Sequence, residues 1–435
     1  MHLSTLGSYF FIAPKLICRV LILPQKMNNK HLFEIALGDI RPWHIEHIEF
    51  KQLHEKVREL HIQLDFPAGS QFLDSYGVPC KAYDTEQHTW QHLNFFEHRC
   101  YLHARVPRIR DSKGAVKKVQ VPWARRNQGF RLMFEAYIMT LLELEMSPSA
   151  VADLVKVYPQ RGWEVFNHYV GRAKSQSDHS GITEVGIDET SKRKGHDYVT
   201  VGVDLAQSRV FKVVEGKDSA AVRALAGHLE AQGSPPGEVR QVCIDMSPAF
   251  ISGVMDAFVN AKITFDRFHV MKEVNKALDE LRKAEQKECK ELKGHKYTLL
   301  KNPENLTDKK QAELADLLQL YPKIGEGYRL KTLFREFWQF DHPAKAERFL
   351  KDWCKQAVKS GIFPFQKAVN TIKAHWSGIV NFIKSQITNG IVEGINSKIQ
   401  LAKKRARGYR NVNNFINMIY FLCGKLNFSY PRVFI

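Results

Sequence analysis

Two apolar segments of the chain end alike, in an isoleucine followed by an aspartate: GID at Asp188 and CID at Asp245. A third acid, Glu393, stands in NGIVEGINSKIQLAKKRARGYRN, residues 389–411. Asn389-Gly390 reads as a helix start and Gly408 as a stop, and Ile391, Ile395, Ile399 and Ala402 recur at helical spacing. Glu393 then falls about 200° round the helix from Ile391, in line with Asn396, Gln400, Lys403 or Lys404, and Arg407. A carboxylate that holds a metal beside cations that hold phosphate suits phosphodiester chemistry. The plainer reading is an amphipathic surface helix with a solvated charged face. If the three acids converge, they repel one another and need cations to neutralise them. Hard divalent ions with oxygen ligands do this. A pair of them can activate a water or hydroxyl and stabilise the leaving oxygen.

Each acid also has a plainer role. A strand-end aspartate is commonly a turn or helix-cap residue, and Glu189, Asp204, Asp256 and Asp266 compete for the same positions. In TFDRFHV, Asp266 and His269 sit where a strand meets a helix. Asp266 is read as an auxiliary metal group and His269 as a buried, hydrogen-bonded imidazole.

The elements that must position these acids follow from the patterning. EVGIDE (184–189), DYVTVGVD (197–204) and RVFKVVEG (209–216) are strands at hairpin spacing, with KRKGH and LAQS as turns. SAAVRALAGHLEAQ is a helix, VRQVCID a strand, SPAFISGVMDAFV a helix and KITFD a fifth strand; HVMKEVNKALDELRKAEQKE opens a long helix. Three antiparallel strands, helix, strand, helix, strand is the order of a ribonuclease-H-like mixed α/β domain. Such sheets place their chemistry at the carboxyl ends of strands. Residues 270–385 give helical signals throughout and read as an all-α insertion before the last helix.

Composition narrows the partner. The chain has 435 residues, more than one ordinary domain. Its 64 Lys+Arg against 46 Asp+Glu leave a formal charge of +18, which favours a polyanion, nucleic acid before anionic membrane. Seven scattered cysteines do not form a disulfide framework and fit a reducing cytoplasm. Tyr9 to Leu23 is apolar but broken by Pro14, Lys15 and Arg19, too short to span a bilayer. Residues 1–26 are expected to be an upstream extension without function, with Met27 the natural start.

Before the α/β region, the pattern gives a short helix from Leu32 and a strand from Lys51 to Asp65, then strand-like segments in HTWQHLNFFEHRCYLHARVPRIR and GAVKKVQVPW. This is a β-rich module, residues 27–125, of zinc-ribbon type. Its ligands would come from Cys80, Cys100, His88, His92, His98 and His103, yet the chain has no CxxC. Residues 126–175 contain a short helix started by Ser147 and Pro148, a turn, and PQRGWEVFNHYVGRAK, the layout of a helix-turn-helix. Arg161, Asn167 and His168 are its candidate DNA contacts, although any small helical bundle looks similar.

GIDET, YVTVGVD, CIDMSPAF, ITFDRFHVMKEVN and NGIVEGINSKIQLAKKRARGYRN, in this order, resemble the DDE-type insertion-sequence transposases of the ISL-three group, from about Met27 to Leu426. The resemblance implies an N-terminal zinc-binding module, a helix-turn-helix, and a ribonuclease-H-like catalytic domain in two parts, 182–268 and 386–426, around a helical insertion, 269–385. It implies Asp188, Asp245 and Glu393 as catalytic and metal-holding acids, with Asp266 and His269 as auxiliary groups. Two Mg²⁺ or Mn²⁺ ions are the expected cofactors. The family's cysteine pairs would fall near FPAGS (66–70) and RDSKG (110–114), where this chain has none, so zinc is not expected.

The expected function is binding of terminal inverted repeats, DNA cleavage and strand transfer. Lys398, Lys403, Lys404, Arg405, Arg407 and Arg410 would contact phosphates. Expected partners are double-stranded DNA and further copies of the chain that synapse two ends; the expected location is the bacterial cytoplasm, at the nucleoid when bound, and not a membrane. The rivals are a decayed or domesticated DNA-binding regulator, and a structure-selective nuclease of the same fold.

Overall fold

The computed structural model of the chain describes residues 29–54, 57–191, 197–385 and 390–431. The 1–26 extension, the KRKGH turn (192–196) and the helix start at Asn389 lie outside the described residues. The described residues form two compact units, one up to Tyr137 and the other Ile138–Tyr430.

In the first unit α1 (Asn29–Leu37) precedes a sheet built from β1 (His44–His54), β2 (Val57–Asp65), β3 (Gln71–Leu73), β4 (Pro79–Phe95), β5 (His98–Arg110) and β6 (Val116–Lys118). The strand order is β1-β2-β5-β4-β3, with β6 on β5. The single strand expected over Lys51 to Asp65 is instead parts of two: β1 and β2 pair antiparallel from His44↔Asp65 to His54↔Val57. Neither Gly nor Pro in the sequence between His54 and Val57 announces two strands rather than one. Trp43, Trp90 and Trp123 are buried and meet edge to face, Trp43–Trp123 at 5.3 Å and Trp90–Trp123 at 5.4 Å.

Aspartates organise the turns at 74–78 and 111–115. Asp111 accepts from the N–H groups of Lys113 and Ala115 at 3.0 and 2.8 Å. Asp74 accepts from Tyr76 and Val78 at 2.8 and 2.9 Å and, through its other oxygen, from Ser112 at 3.1 Å, which ties the two loops together. These donors, Val78 first, hold the Asp74 carboxyl down at about 2.

A helical stretch, α2 (Leu132–Glu143), α3 (Pro148–Leu154) and α4 (Pro159–Ser175), leads into the second unit's sheet. Ser147 caps α3 as expected, its Oγ accepting from Ala150 N–H at 3.3 Å. Then follow β7 (Glu184–Ser191), β8 (Tyr198–Asp204), β9 (Arg209–Glu215), α5 (Ser219–Ala231), β10 (Gln241–Ile244), α6 (Pro248–Ala257), β11 (Lys262–Phe265) and α7 (Arg267–Glu285). The sheet order is β11-β10-β7-β8-β9. The pairs β7–β8 and β8–β9 are antiparallel, while β10 runs parallel to both β7 and β11.

Among the described residues after β11 the chain is helical: α8 (Lys296–Leu300), α9 (Asp308–Leu320), α10 (Pro322–Glu336), α11 (Pro343–Lys359), α12 (Phe363–Ala374), α13 (Trp376–Ser385), α14 (Gly390–Arg405) and α15 (Val412–Cys423). Two polar clamps fasten this part. Asn381 on α13 donates to Gln241 Oε1, Ile263 O and Thr264 Oγ1 on the sheet edge, at 3.0, 3.2 and 2.8 Å. Lys331, buried in α10, donates to the carbonyls of Leu299, Leu300 and Lys301 at 2.9, 2.9 and 3.0 Å, and burial lowers its ammonium to about 8.

Helix α14 buries Val392, Ile395 and Ile399 against the sheet face of β7, where Gly186 leaves room. A Cβ at Gly186 would lie 2.6 Å from Val392 Cγ2 and 2.9 Å from Leu205 Cδ2. Gly186→Ala is therefore expected to lower stability by about 1–3 kcal/mol in urea unfolding, because α14 must move away from β7. An unchanged unfolding midpoint would show that the contact is not tight.

Candidate active site

Strand register brings the acids together. Cys243 on β10 pairs with Gly186 on β7, and Ile244 pairs with Phe265 on β11. Continuing these registers past the last paired residues sets Asp188, Asp245 and Asp266 side by side across three neighbouring strands. Asp266 N–H donates to Ile244 O at 3.0 Å, holding that end of the row. Two of these acids are also turn or cap residues. Asp245 accepts from Ser247 N–H at 3.0 Å, and Asp266 caps α7, accepting from Phe268 N–H at 3.0 Å. Capping and convergence coexist here, since helix N-termini favour the negative charge that the row concentrates.

The row is under electrostatic load. Burial, followed by the charge of Asp245, raises the Asp188 carboxyl to about 6, against the opposing pull of Glu189 N–H, His269 and Asn396. His269 Nδ1 lies 2.9 Å from Asp266 Oδ2. That contact, with the charges of Asp188 and Asp245, lifts the imidazole above its ordinary range despite burial. His269 has the partner expected of it but is half-buried rather than buried, and its charge opposes that of the row.

Helix α14 runs along β7 in matching steps. Asn396 Nδ2 donates to Asp188 Oδ2 at 2.5 Å, Gln400 Nε2 to Thr190 Oγ1 at 3.0 Å and Lys403 Nζ to Ser191 O at 2.9 Å. Residues 188 and 190 share a strand face, and the helix meets them at intervals of four. The polar row expected to face DNA therefore divides: Asn396, Gln400 and Lys403 dock the helix on the strand. Desolvation lowers the Lys403 ammonium.

Glu393 is exposed in the first turn of α14. It lines, with Asp266, a cleft of about 550 Å³ whose other walls come from α7, the end of α8 and the segment after it, α10 through Arg335, and α13. The donor chemistry suits a hard divalent ion: adjacent carboxylates whose charge is only partly offset. Among the described residues no group of three or more His, Cys, Asp or Glu side chains is close enough to enclose an ion. Of the four acids, Asp266 and Glu393 line this cleft, and Asp188 and Asp245 continue the row beside it. Two of the competing acids are used elsewhere: Asp204 binds Gln207 N–H and Arg209 in a turn, and Asp256 pairs with Arg223.

The remaining candidates separate by exposure. Lys398, Lys404, Arg407 and Arg410 are exposed. Arg405 is exposed too and pairs with Glu145 at 2.9 Å. On α4, Arg161 and His168 are half-buried, and Asn167 faces α15: its Nδ2 donates to Asn414 Oδ1 and its Oδ1 accepts from Asn417, both at 2.9 Å. Phe166 packs on Phe421 at 5.3 Å and Trp163 on Tyr409 at 6.2 Å beside it. Sequence reasoning took Asn167 as a DNA contact because its partners lie far along the chain. It also overlooked Gly186 and the orienting role of Asn396, which only the docking of α14 on β7 reveals.

Known proteins are similar to this chain over most of its length. A family model described as "Transposase" (DDE_Tnp_ISL3) matches residues 185–419, over half of the chain, and one described as "Helix-turn-helix domain of transposase family ISL3" matches 119–170. The chain belongs to the ISL3 family of DDE transposases. It is similar to the transposase for insertion sequence element IS1001 of Bordetella parapertussis, 26% identical over 408 residues, covering 89% of this chain and 97% of that one. It is also similar to the transposase for insertion sequence element IS1557 of Mycobacterium tuberculosis, 25% identical over 422 residues, covering 88% and 93%. Among the described residues no helix is long and apolar enough to cross a membrane.

Two expectations follow from the packing. The folded Asp188 carboxyl takes up its proton at about 6, and the unfolded one near the ordinary 3.8. Its ionisation therefore weakens the fold increasingly from about pH 4 to pH 6, and fully above. Without divalent cations, Asp188→Asn should be more stable than the parent above pH 6, on the order of 1–3 kcal/mol, with no advantage below pH 4. Denaturant unfolding across pH tests this, and a constant difference would refute it. Asn167→Ala should lower the unfolding midpoint by roughly 1–3 kcal/mol without altering which DNA ends are preferred; altered preference in competition binding would return Asn167 to the DNA interface.

Proposed function

We propose that this transposase binds the terminal inverted repeats of its insertion sequence, cuts the DNA ends by metal-dependent hydrolysis, and joins the freed 3′-hydroxyl to target DNA. The observation that carries the reading is the register-aligned row Asp188, Asp245, Asp266, with α14 seated on β7 and Glu393 lining, with Asp266, the cleft at one end of the row. The strand order β11-β10-β7-β8-β9 supports a ribonuclease-H-like core in two parts, 182–268 and 386–426, separated by the 269–385 insertion. The β-rich stretch 27–125 is then a degenerate zinc-ribbon-like module, and 126–175 the helix-turn-helix region.

Asp188, Asp245 and Glu393 would hold two Mg²⁺ or Mn²⁺ ions, with Asp266 and His269 beside them. Bound there, the ions supply nucleophile activation and leaving-oxygen stabilisation. The chain's own contribution is orientation and charge. Asn396 fixes the Asp188 carboxylate, His269 offsets the row, and Lys398, Lys404, Arg407 and Arg410 meet backbone phosphates. Synapsis of two ends calls for more than one copy of the chain.

Glu393→Gln is expected to bind terminal-repeat DNA as the parent does and to release no cleaved strand in Mg²⁺ or Mn²⁺; full cleavage by this variant would sink the assignment. Parent cleavage of linear DNA irrespective of terminal repeats would indicate a structure-selective nuclease, and binding without cleavage a regulator. Replacing Lys404 and Arg407 by alanine should flatten the dependence of log binding constant on log salt by about 0.9 per phosphate contact removed.

A further inference from the structure

The helices between β11 and α14 carry a second groove, of about 530 Å³, that the acids do not reach. Lys351, Lys355 and Lys359 of α11 line it with Lys373 of α12, and Val358 and Trp376 supply apolar surface. Among the described residues no acid lines it. The surrounding stretch, 343–385, is itself cationic, with eight Lys or Arg against two acids, Glu347 and Asp352.

Helix α11 is anchored from behind. Ala346, Leu350, Trp353 and Ala357 are buried, and Trp353 Nε1 donates to Leu330 O at 2.9 Å. The three lysines then follow at intervals of four on one helical face, a row about 12 Å long. Phosphates along one DNA strand recur about every 3.4 Å of axis, so the row spans about three or four of them. Lys351 and Lys355 hold only exposed acids of their own helix, Glu347 at 3.0 Å and Asp352 at 3.1 Å. Such pairs hold weakly and yield readily to a phosphate. The Trp376 end of the groove starts α13, where the His375 ring packs 5.1 Å from Phe265. Phe265 ends β11 and precedes Asp266, so the groove approaches the sheet at the edge that bears the acids.

We propose that this groove holds the backbone of target DNA. The inference rests on the reading that the chain joins cut ends to a target. An ammonium is a point charge that grips phosphate without distinguishing bases. The groove offers no guanidinium or amide side chain with which to read a base edge. It therefore suits DNA taken irrespective of sequence, whereas the terminal repeats must be told from other DNA. Val358 and Trp376 pack beneath the lysine stems and keep the charged heads raised toward the duplex.

The test uses the full chain. Binding is measured by anisotropy across a salt series, on a duplex without terminal repeats and on a terminal-repeat duplex; joining of a pre-cut end to a plasmid is measured separately. Lys359→Ala combined with Lys373→Ala should flatten the salt dependence on the repeat-free duplex by about 1.8 in log–log slope, two contacts at about 0.9 each. Joining should fall with it, while terminal-repeat binding, end cleavage and thermal stability stay as in the parent, since both side chains are exposed. Lys262→Ala combined with Lys309→Ala removes the same charge outside the groove and should leave the slope unchanged. An equal flattening by that control, or equal losses on terminal-repeat DNA, overturns the groove as a target site. So does loss of binding to phosphatidylserine vesicles with the DNA slope unaltered, which would give the groove to an anionic membrane. A parent that joins ends while the groove variant matches it in slope and joining overturns the groove alone. A parent that neither cuts nor joins DNA ends sinks the transposase reading and the groove with it.

Discussion

Carboxylates at matched positions on neighbouring strands stand about 4.8 Å apart, too close for all to ionise in a partly buried site without opposing charge. The second unit of this protein is arranged around that constraint. Asp188 retains its proton up to about pH 6. His269, one turn into α7, is held toward its cationic form by the acids it faces. Helices α6 and α7 begin where Asp245 and Asp266 end their strands, so backbone N–H groups meet both carboxylates. Asn396 brings an amide to Asp188 because Gly186 admits α14 to the sheet. A divalent cation would complete a neutralisation that the fold begins.

The helical stretch between β11 and α14 serves this arrangement by supplying walls. Asn381 pins α13 to the edge of the sheet, and Lys331 fixes the end of α8 through three carbonyls. Both clamps are buried polar groups whose partners are matched, which rigidifies what would otherwise be a loose surface of helices. The cleft beside the acids is therefore bounded by structure on sides that the sheet alone leaves open.

Much of this was legible in the chain itself. The β7–β11 order, the strand that stops at Asp245 and the long helix after ITFD have local signatures of period and punctuation, and they fold as those signatures indicate; the strand expected to end at Asp188 instead runs on to Ser191. What escaped is non-local. Whether Asp266 joins the row depends on the β10–β11 register, which no pattern within KITFD encodes. The α14 face that reads as a cationic track is partly a docking surface, because Asn396, Gln400 and Lys403 meet residues some two hundred positions earlier. Asn167 looks like a surface contact on a helix and is instead held by two asparagines of α15. Polar side chains serve interior and exterior alike, so their type alone cannot say which.

The α15 contacts have a mechanical consequence. Asn167, Trp163 and Phe166 hold α4 against α15 and its preceding loop. At the same time Tyr420 of α15 accepts from Val213 N–H at 3.2 Å, on the outer strand of the sheet that bears the acids. The second helix of the helix-turn-helix region and the aspartate row are thereby linked through a single strut. Under the proposed function, reading head and blade would keep a constant gauge, and DNA would be cut to that gauge. Each base pair added between the recognised sequence and the scissile bond swings that bond about a tenth of a helical turn away from the acids. The protein would thus act on its ends as a ruler graduated in single base pairs.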